Sequence, residues 1–172
     1  VDYASGGAGS VSHLAAASLA RRLGIGATHV PYRGYSAAVE ALRGDQVQMI
    51  CATPADVGEL AGAGMLRVLA VAAAERQSGL PDVPTMAELG FEGFVASSWN
   101  AYVAPANTPA TIVSLLHRTL LKSSQDAGVQ ERIGALGIVI MPMTLAGLGQ
   151  FLRDEALRWR RVVEENGIRL EG

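Results

Sequence analysis

An α/β fold built around a parallel-rich sheet is what this sequence predicts, on three observations. Short apolar runs alternate with segments of helical periodicity through the first half, the pattern of successive βαβ units. Two of the apolar runs, residues 47–51 and 66–73, are continuous enough for strands buried on both faces. A glycine-rich turn, Ser5-Gly6-Gly7-Ala8-Gly9-Ser10, carries the chain from the first of these runs into the first helical pattern. Hydrophobic residues at 49% and charged residues at 17% supply a core rather than a disordered chain.

Taken in order, residues 2–4 and 28–30 read as the first two strands, with 47–51 and 66–73 following. Between them, residues 10–23 place Val11, Leu14, Ala15, Leu19 and Leu23 along one helical face, and 35–43 and 55–63 are further crossover helices. From Ser78 to Phe94 the chain is stiffened by Pro81 and Pro84, and residues 85–89 predict a short helix stopped by Gly90. Residues 99–104 read as a strand ending at Pro105. Pro109 then opens a helix over 109–124 behind a Thr108 cap. A helix over 128–136, a strand over 138–141 and a long helix over 145–165 complete the chain, the last with a solvated face of Arg153, Asp154, Arg158, Arg160 and Arg161. The change of style near residues 97–105 suits a hinge between lobes.

The charge balance excludes some partners. A formal net charge of −2 with no Lys/Arg run argues against nucleic acid and against an anionic membrane surface, since both require a concentrated positive field. Cys51 is the single cysteine, which rules out an internal disulfide, and its apolar setting predicts a buried thiol. No stretch reaches the ~18 apolar residues that span a bilayer. No basic-then-apolar signal pattern opens the sequence, so localisation is not legible from a targeting segment. Val1-Asp2-Tyr3-Ala4 reads as the end of a strand running straight into a turn, which leads us to expect an N-terminal portion before it.

Chemistry concentrates at the glycine turn. Glycines there allow close backbone approach and leave amide N–H groups facing the space before the helix, an anion seat to which Ser5, Ser10 and Ser12 add hydroxyls. A dinucleotide fingerprint fails because Ser12 stands at its third position, and no P-loop lysine follows. The turns after the second and third strands, carrying Tyr32-Arg33 and Ala52-Thr53, should line the same cleft, because parallel sheets bind ligands at the carboxyl ends of their strands. Thr53 offers a hydrogen bond there, whereas Tyr32 and Arg33 either face the ligand or cap the lobe. His13, His29 and His117 lack metal-ligand spacing, and His13 suits a structural hydrogen bond better than catalysis. The enzyme alternative, a hydrolase or transferase using Cys51 or a serine, lacks any catalytic motif in support.

These motifs in their order resemble the Bug-type receptors, the extracytoplasmic solute-binding components of tripartite tricarboxylate transporters. The likeness runs through Tyr3-Ala4-Ser5, Gly9-Ser10, His13-Leu14-Ala15, His29-Val30-Pro31-Tyr32-Arg33-Gly34, Ala63-Gly64, Leu66-Arg67-Val68-Leu69-Ala70-Val71, Leu80-Pro81-Asp82-Val83-Pro84-Thr85, Ser98-Trp99, Ala104-Pro105 and Thr108-Pro109. The resemblance implies a type II periplasmic-binding-protein fold whose lobes close on a small carboxylate, with no cofactor or metal, no enzyme activity and a periplasmic location. Residues 1–97 would be most of the second lobe. Residues 98–172 would be a hinge strand and C-terminal helices returning to the first lobe, which would be incomplete, with about a hundred residues expected before Val1. The ligand-binding set is then Ser5, Gly6, Gly7, Ala8, Gly9, Ser10, Tyr32, Ala52 and Thr53. Relatives often carry Asp at the place of Ala52, so its loss implies a solute without an ammonium group. The implied partners are that carboxylate and membrane transporter subunits, with self-association as the alternative for a chain lacking part of a lobe.

Overall fold

A computed structural model describes residues 1–77 and 79–169, so Ser78, the first residue of the proline-stiffened span, and the last three residues of the 98–172 segment lie outside the described residues. The chain divides into two compact units, one of Val1–Ser98 together with the segment from Arg158 onward, the other of Trp99–Leu157.

In the first unit, strands β1 (Asp2–Ser5), β2 (Thr28–Pro31) and β3 (Met49–Ile50) form a parallel sheet in the order β2-β1-β3. Register pairs Tyr3 with His29 on one side and with Met49 on the other. Helices α1 (Val11–Leu23), α2 (Tyr35–Arg43) and α3 (Pro54–Gly62) follow the three strands in turn. Ser10 caps α1 by accepting the His13 N–H, and Gly24 closes it in the left-handed conformation at φ 65°.

Successive residues of a strand face opposite ways, and that alternation sorts the two layers. Ala4 joins Ala38, Ala41 and Val47 in a buried cluster against which Val30 and Ile50 pack, so α2 lies on the Ala4 face. Tyr3 and Ser5 point to the other face, where Tyr3 stacks on His29 and on His13 of α1. Alanines at 4, 38 and 41 let helix and sheet approach closely. The chain leaves β1 on the α1 face to reach β2, then crosses back over β1 through α2 to reach β3. The crevice between the carboxyl ends of β1 and β3 is therefore a topological switch point, where ligands of open α/β sheets bind.

In the second unit α4 (Ala110–Ser124) packs against α5 (Ala127–Ala135), which Asp126 caps through Val129 N–H. The early turns of α6 (Leu145–Glu165) belong to this unit, where Trp99 sets its ring edge-on to Phe151 and donates its indole N–H to Glu155 at 3.0 Å. His117 Nε2 is 2.8 Å from the Met143 carbonyl.

Several expected elements differ. The run over 66–73 forms no strand: its one ladder contact among the described residues is a parallel bridge between Val71 and Thr85. Residues 99–104 and 138–141 likewise make no strand, and the third strand is two residues rather than five. Apolar, β-branched sequence supplies the propensity, but a strand exists only where a neighbour supplies the ladder. Residues 85–89 form a bridge and a turn instead of a short helix. Its hydrogen bonds are those of a capping box, with Thr85 N–H donating to Glu88 Oε2 and Glu88 N–H to Thr85 Oγ1. Pro109 itself is the cap of α4, one residue after the expected Thr108, because ψ of 137° keeps it outside the helix. No helix among the described residues is long and apolar enough to cross a membrane.

Candidate functional site

The glycine turn sits at the carboxyl end of β1 and ends on α1, and two of its glycines are required by geometry. Gly7 holds φ at 143° and Gly9 at 76°, where a side chain clashes with its own backbone, while a Cβ on Gly6 would meet the ring of Tyr35 at 3.2 Å and that ring would have to give by a few tenths of an ångström. The turn is wired largely to itself. Gly6 N–H donates to Ser12 Oγ at 3.2 Å, Gly7 N–H to Ser5 Oγ at 3.1 Å, Gly9 N–H to His13 Nδ1 at 3.1 Å, and Ser10 N–H to the Gly7 carbonyl at 3.2 Å. Ser10 Oγ donates to the same carbonyl at 2.7 Å and lies 2.9 Å from Ser12 Oγ. Four of the amides that the sequence offers to an anion are thus spent internally. The amides of Ala8, Val11 and Ser12 make no hydrogen bond among the described residues, and Ala8 is exposed at the tip. Val11 and Ser12 are among the unsatisfied donors that every helix start carries, and Ala8 adds an amide from the turn before it.

Ser5 is fully buried and anchors the start of the turn, its hydroxyl 2.6 Å from His29 Nε2 and 3.0 Å from the Gly7 carbonyl. Thr53 lies at the start of α3, at the carboxyl end of β3, but its hydroxyl donates to Asp56 Oδ2 at 2.6 Å and its N–H to the same oxygen at 3.2 Å. The hydroxyl proton expected for a ligand is engaged by the first turn of α3, leaving oxygen lone pairs. Tyr32 packs half-buried against the Ala4 cluster, and its N–H donates to the Ser5 carbonyl at 3.0 Å, so it braces the turn from the α2 side. Arg33 is exposed, and Ala52 and Thr53 are half-buried. Sequence reasoning missed Tyr35, whose ring covers Gly6, and His29, whose imidazole reaches Ser5 across 24 residues.

Burial decides the protonation states. His29 is pushed down to about 4 by burial first and by neighbouring His13 second, and burial also lowers His13. Burial raises the Cys51 thiol to about 11, so it carries no nucleophilic thiolate near neutral pH. Below about 6.5 an unfolded chain protonates His29 while the native one does not, so the native state loses stability as pH falls from about 6.5 toward 4. Allowing for the partial exposure of the ring, the loss is about 1 kcal/mol. Urea midpoints measured down that range should fall less steeply for His29→Gln than for the native chain.

The three-strand parallel sheet of order β2-β1-β3, with a glycine turn at its switch point, is an α/β fold of the kind found in periplasmic binding proteins. The family model described as the tripartite tricarboxylate transporter family receptor matches residues 1–168, and the chain belongs to that family. Among curated relatives, protein BugT of Bordetella pertussis is 36% identical over 171 residues, which are 99% of this chain and 52% of BugT. The chain therefore spans about half the length of that relative. Among solved structures, an R. palustris protein with adipate superposes at a TM-score of 0.89 with 27% identity, over 98% of this chain and 56% of its own. MatC from Rhodopseudomonas palustris with bound malate gives 0.80 with 32% identity, over 95% and 56%. The periplasmic binding protein BugD gives 0.86 with 28% identity, over 99% and 58%. The family is described as a receptor family and BugD as a periplasmic binding protein, binding roles rather than enzymatic ones.

Proposed function

We propose that this chain forms the carboxylate-gripping part of a periplasmic receptor that delivers a small dicarboxylate to membrane transporter subunits. One carboxylate of the solute accepts hydrogen bonds from Ala8, Val11 and Ser12 N–H at the start of α1, within the turn of Ser5, Gly6, Gly7, Gly9 and Ser10 and beside Tyr32, Ala52 and Thr53. The observation that carries this reading is the trio of unspent amides on an otherwise satisfied turn at the β1/β3 switch point. Ala52 supplies no acid for an ammonium, in keeping with the adipate and malate bound by two relatives. In the whole receptor, residues 1–97 are most of one lobe and 98–172 return to the other. A receptor pocket buries about 70–90% of a small ligand, so one wall alone should bind no better than about millimolar.

The test is an amide-resolved titration of the 172-residue chain with malate, adipate and glutamate. Saturable shifts centred on Ala8, Val11 and Ser12 are expected for the first two acids. Preference for glutamate, or shifts centred elsewhere, would sink the assignment. A second reading, self-association, is favoured by Tyr102 and Val103, which are 82% and 85% exposed. Sedimentation of the chain across concentration would show a mass that rises if it holds and stays constant if it does not.

A further inference from the structure

The two imidazoles behind the turn lie face to face, ring centroids 3.6 Å apart and planes 5° from parallel, with the Tyr3 ring 5.2 Å from His29. Each holds one end of the turn. His29 Nε2 meets Ser5 Oγ, which in turn accepts Gly7 N–H, while His13 Nδ1 accepts Gly9 N–H. A backbone N–H only donates, so Nδ1 of His13 must be bare and its ring neutral with the proton on Nε2. A proton arriving at Nδ1 would expel Gly9 N–H and set a positive charge against the second ring.

We propose that His13 and His29 are positioning residues of the carboxylate turn, and that proton uptake by the stacked pair releases its Gly9 end and so weakens the grip on the solute. This rests on reading the turn as a carboxylate seat. Among the described residues, Tyr3 of β1 stacks on both rings and Ser5 Oγ pairs with His29, and the pocket beside them is also lined by Arg21 of α1 and by Glu165 and Arg169 near the end of the described chain. Tyr3, both imidazoles and those last three residues line a cavity of about 500 Å³ that gives water and protons a route to the rings. Cys51 lies close enough to Tyr3 to raise its phenol, an effect second to burial, and the Tyr3 phenol and Cys51 thiol both stay neutral at acidic pH. The lowered basicity of both histidines fits a pair kept neutral until the medium turns acid.

Three forms of the 172-residue chain separate this from a purely structural role. His13→Asn keeps an acceptor for Gly9 N–H but does not titrate, and His13→Phe keeps the stack but has no acceptor. At neutral pH, Gly9 amide exchange should quicken about tenfold in His13→Phe and return to the native rate in His13→Asn. As pH falls, the Gly9 amide shift of the native chain should move with the His13 ring, and that transition should vanish in His13→Asn. Native exchange at Gly9 in His13→Phe, or a Gly9 shift that stays flat while His13 titrates, would overturn the proposal. Malate titrations of the native and Asn chains at matched pH cancel the titration of the acid itself, and the native chain should lose affinity faster on acidification. Malate binding by neither chain would count against the carboxylate seat, while the Gly9 readouts would still decide the clamp.

Discussion

Replacing Val11 by proline should weaken malate or adipate binding about ten- to a hundredfold while leaving the fold in place. A hydrogen bond to a charged group contributes about 1.5–3 kcal/mol, which is that factor in affinity. Val11 is the first residue of α1, where proline is favoured because its missing N–H has no helical partner to lose and its φ is already helical. The residue before a proline must be extended, and Ser10 already is, at φ −67° and ψ 159°. The substitution therefore removes a single donor from the proposed seat with little backbone cost. Val11→Ala is the control, since it trims the side chain and keeps the N–H. The assay is the same amide-resolved titration, with a thermal melt beside it. Undiminished binding by the proline variant, with its melt unchanged, would remove the Val11 amide from the site and leave the seat without its central donor.

The local layer of this protein was legible because its signals are local. The bounds of α2 at Tyr35–Arg43 and of α6 at Leu145–Glu165 fall where apolar periodicity puts them, while Ser10, read as the first residue of a helix over 10–23, stands one place outside α1 as its cap. Strands at 66–73, 99–104 and 138–141 were misread because pairing is a property of two segments, and propensity in one says nothing of whether the other is there. The same division runs through the candidate site. Composition and position alone mark residues 5–10 as a glycine turn at a helix start, the place proposed for an anion. Which amides remain free depends on where Ser12 Oγ, His13 Nδ1 and Ser5 Oγ point, and rotamers are not written in spacing. The engagement of Thr53 by Asp56 was within reach, since Thr-x-x-Asp before a helical run is a capping pattern. The contact of His29 with Ser5 was not, because it depends on the parallel register that sets Tyr3 beside His29.

That contact yields the other large effect. Ser5→Ala should destabilise the first unit by about 2–3 kcal/mol, lowering its thermal midpoint by roughly 5–10 °C, because the lost oxygen is on a buried residue and serves two part-buried neighbours, Gly7 and His29. Ser5 Oγ accepts from Gly7 N–H, donates to the Gly7 carbonyl and pairs with His29 Nε2, all with Ser5 at 0% exposure. Truncation leaves the imidazole nitrogen and the Gly7 N–H without this partner, and an unmade buried hydrogen bond costs more than a made one contributes. Adding His29→Phe removes the orphaned nitrogen and keeps an aromatic ring for the stack on His13 and Tyr3, so the double variant should be destabilised by about 1 kcal/mol less than the sum of the two single changes. Thermal and urea unfolding of the four chains gives the cycle. Simple additivity would mean that the 2.6 Å approach of Ser5 and His29 carries no coupling, and the start of the turn would then be held by Gly7 and the sheet alone. Coupling of the expected size would tie β2 to the proposed carboxylate turn: His29, through one serine, would help to hold the turn that precedes α1.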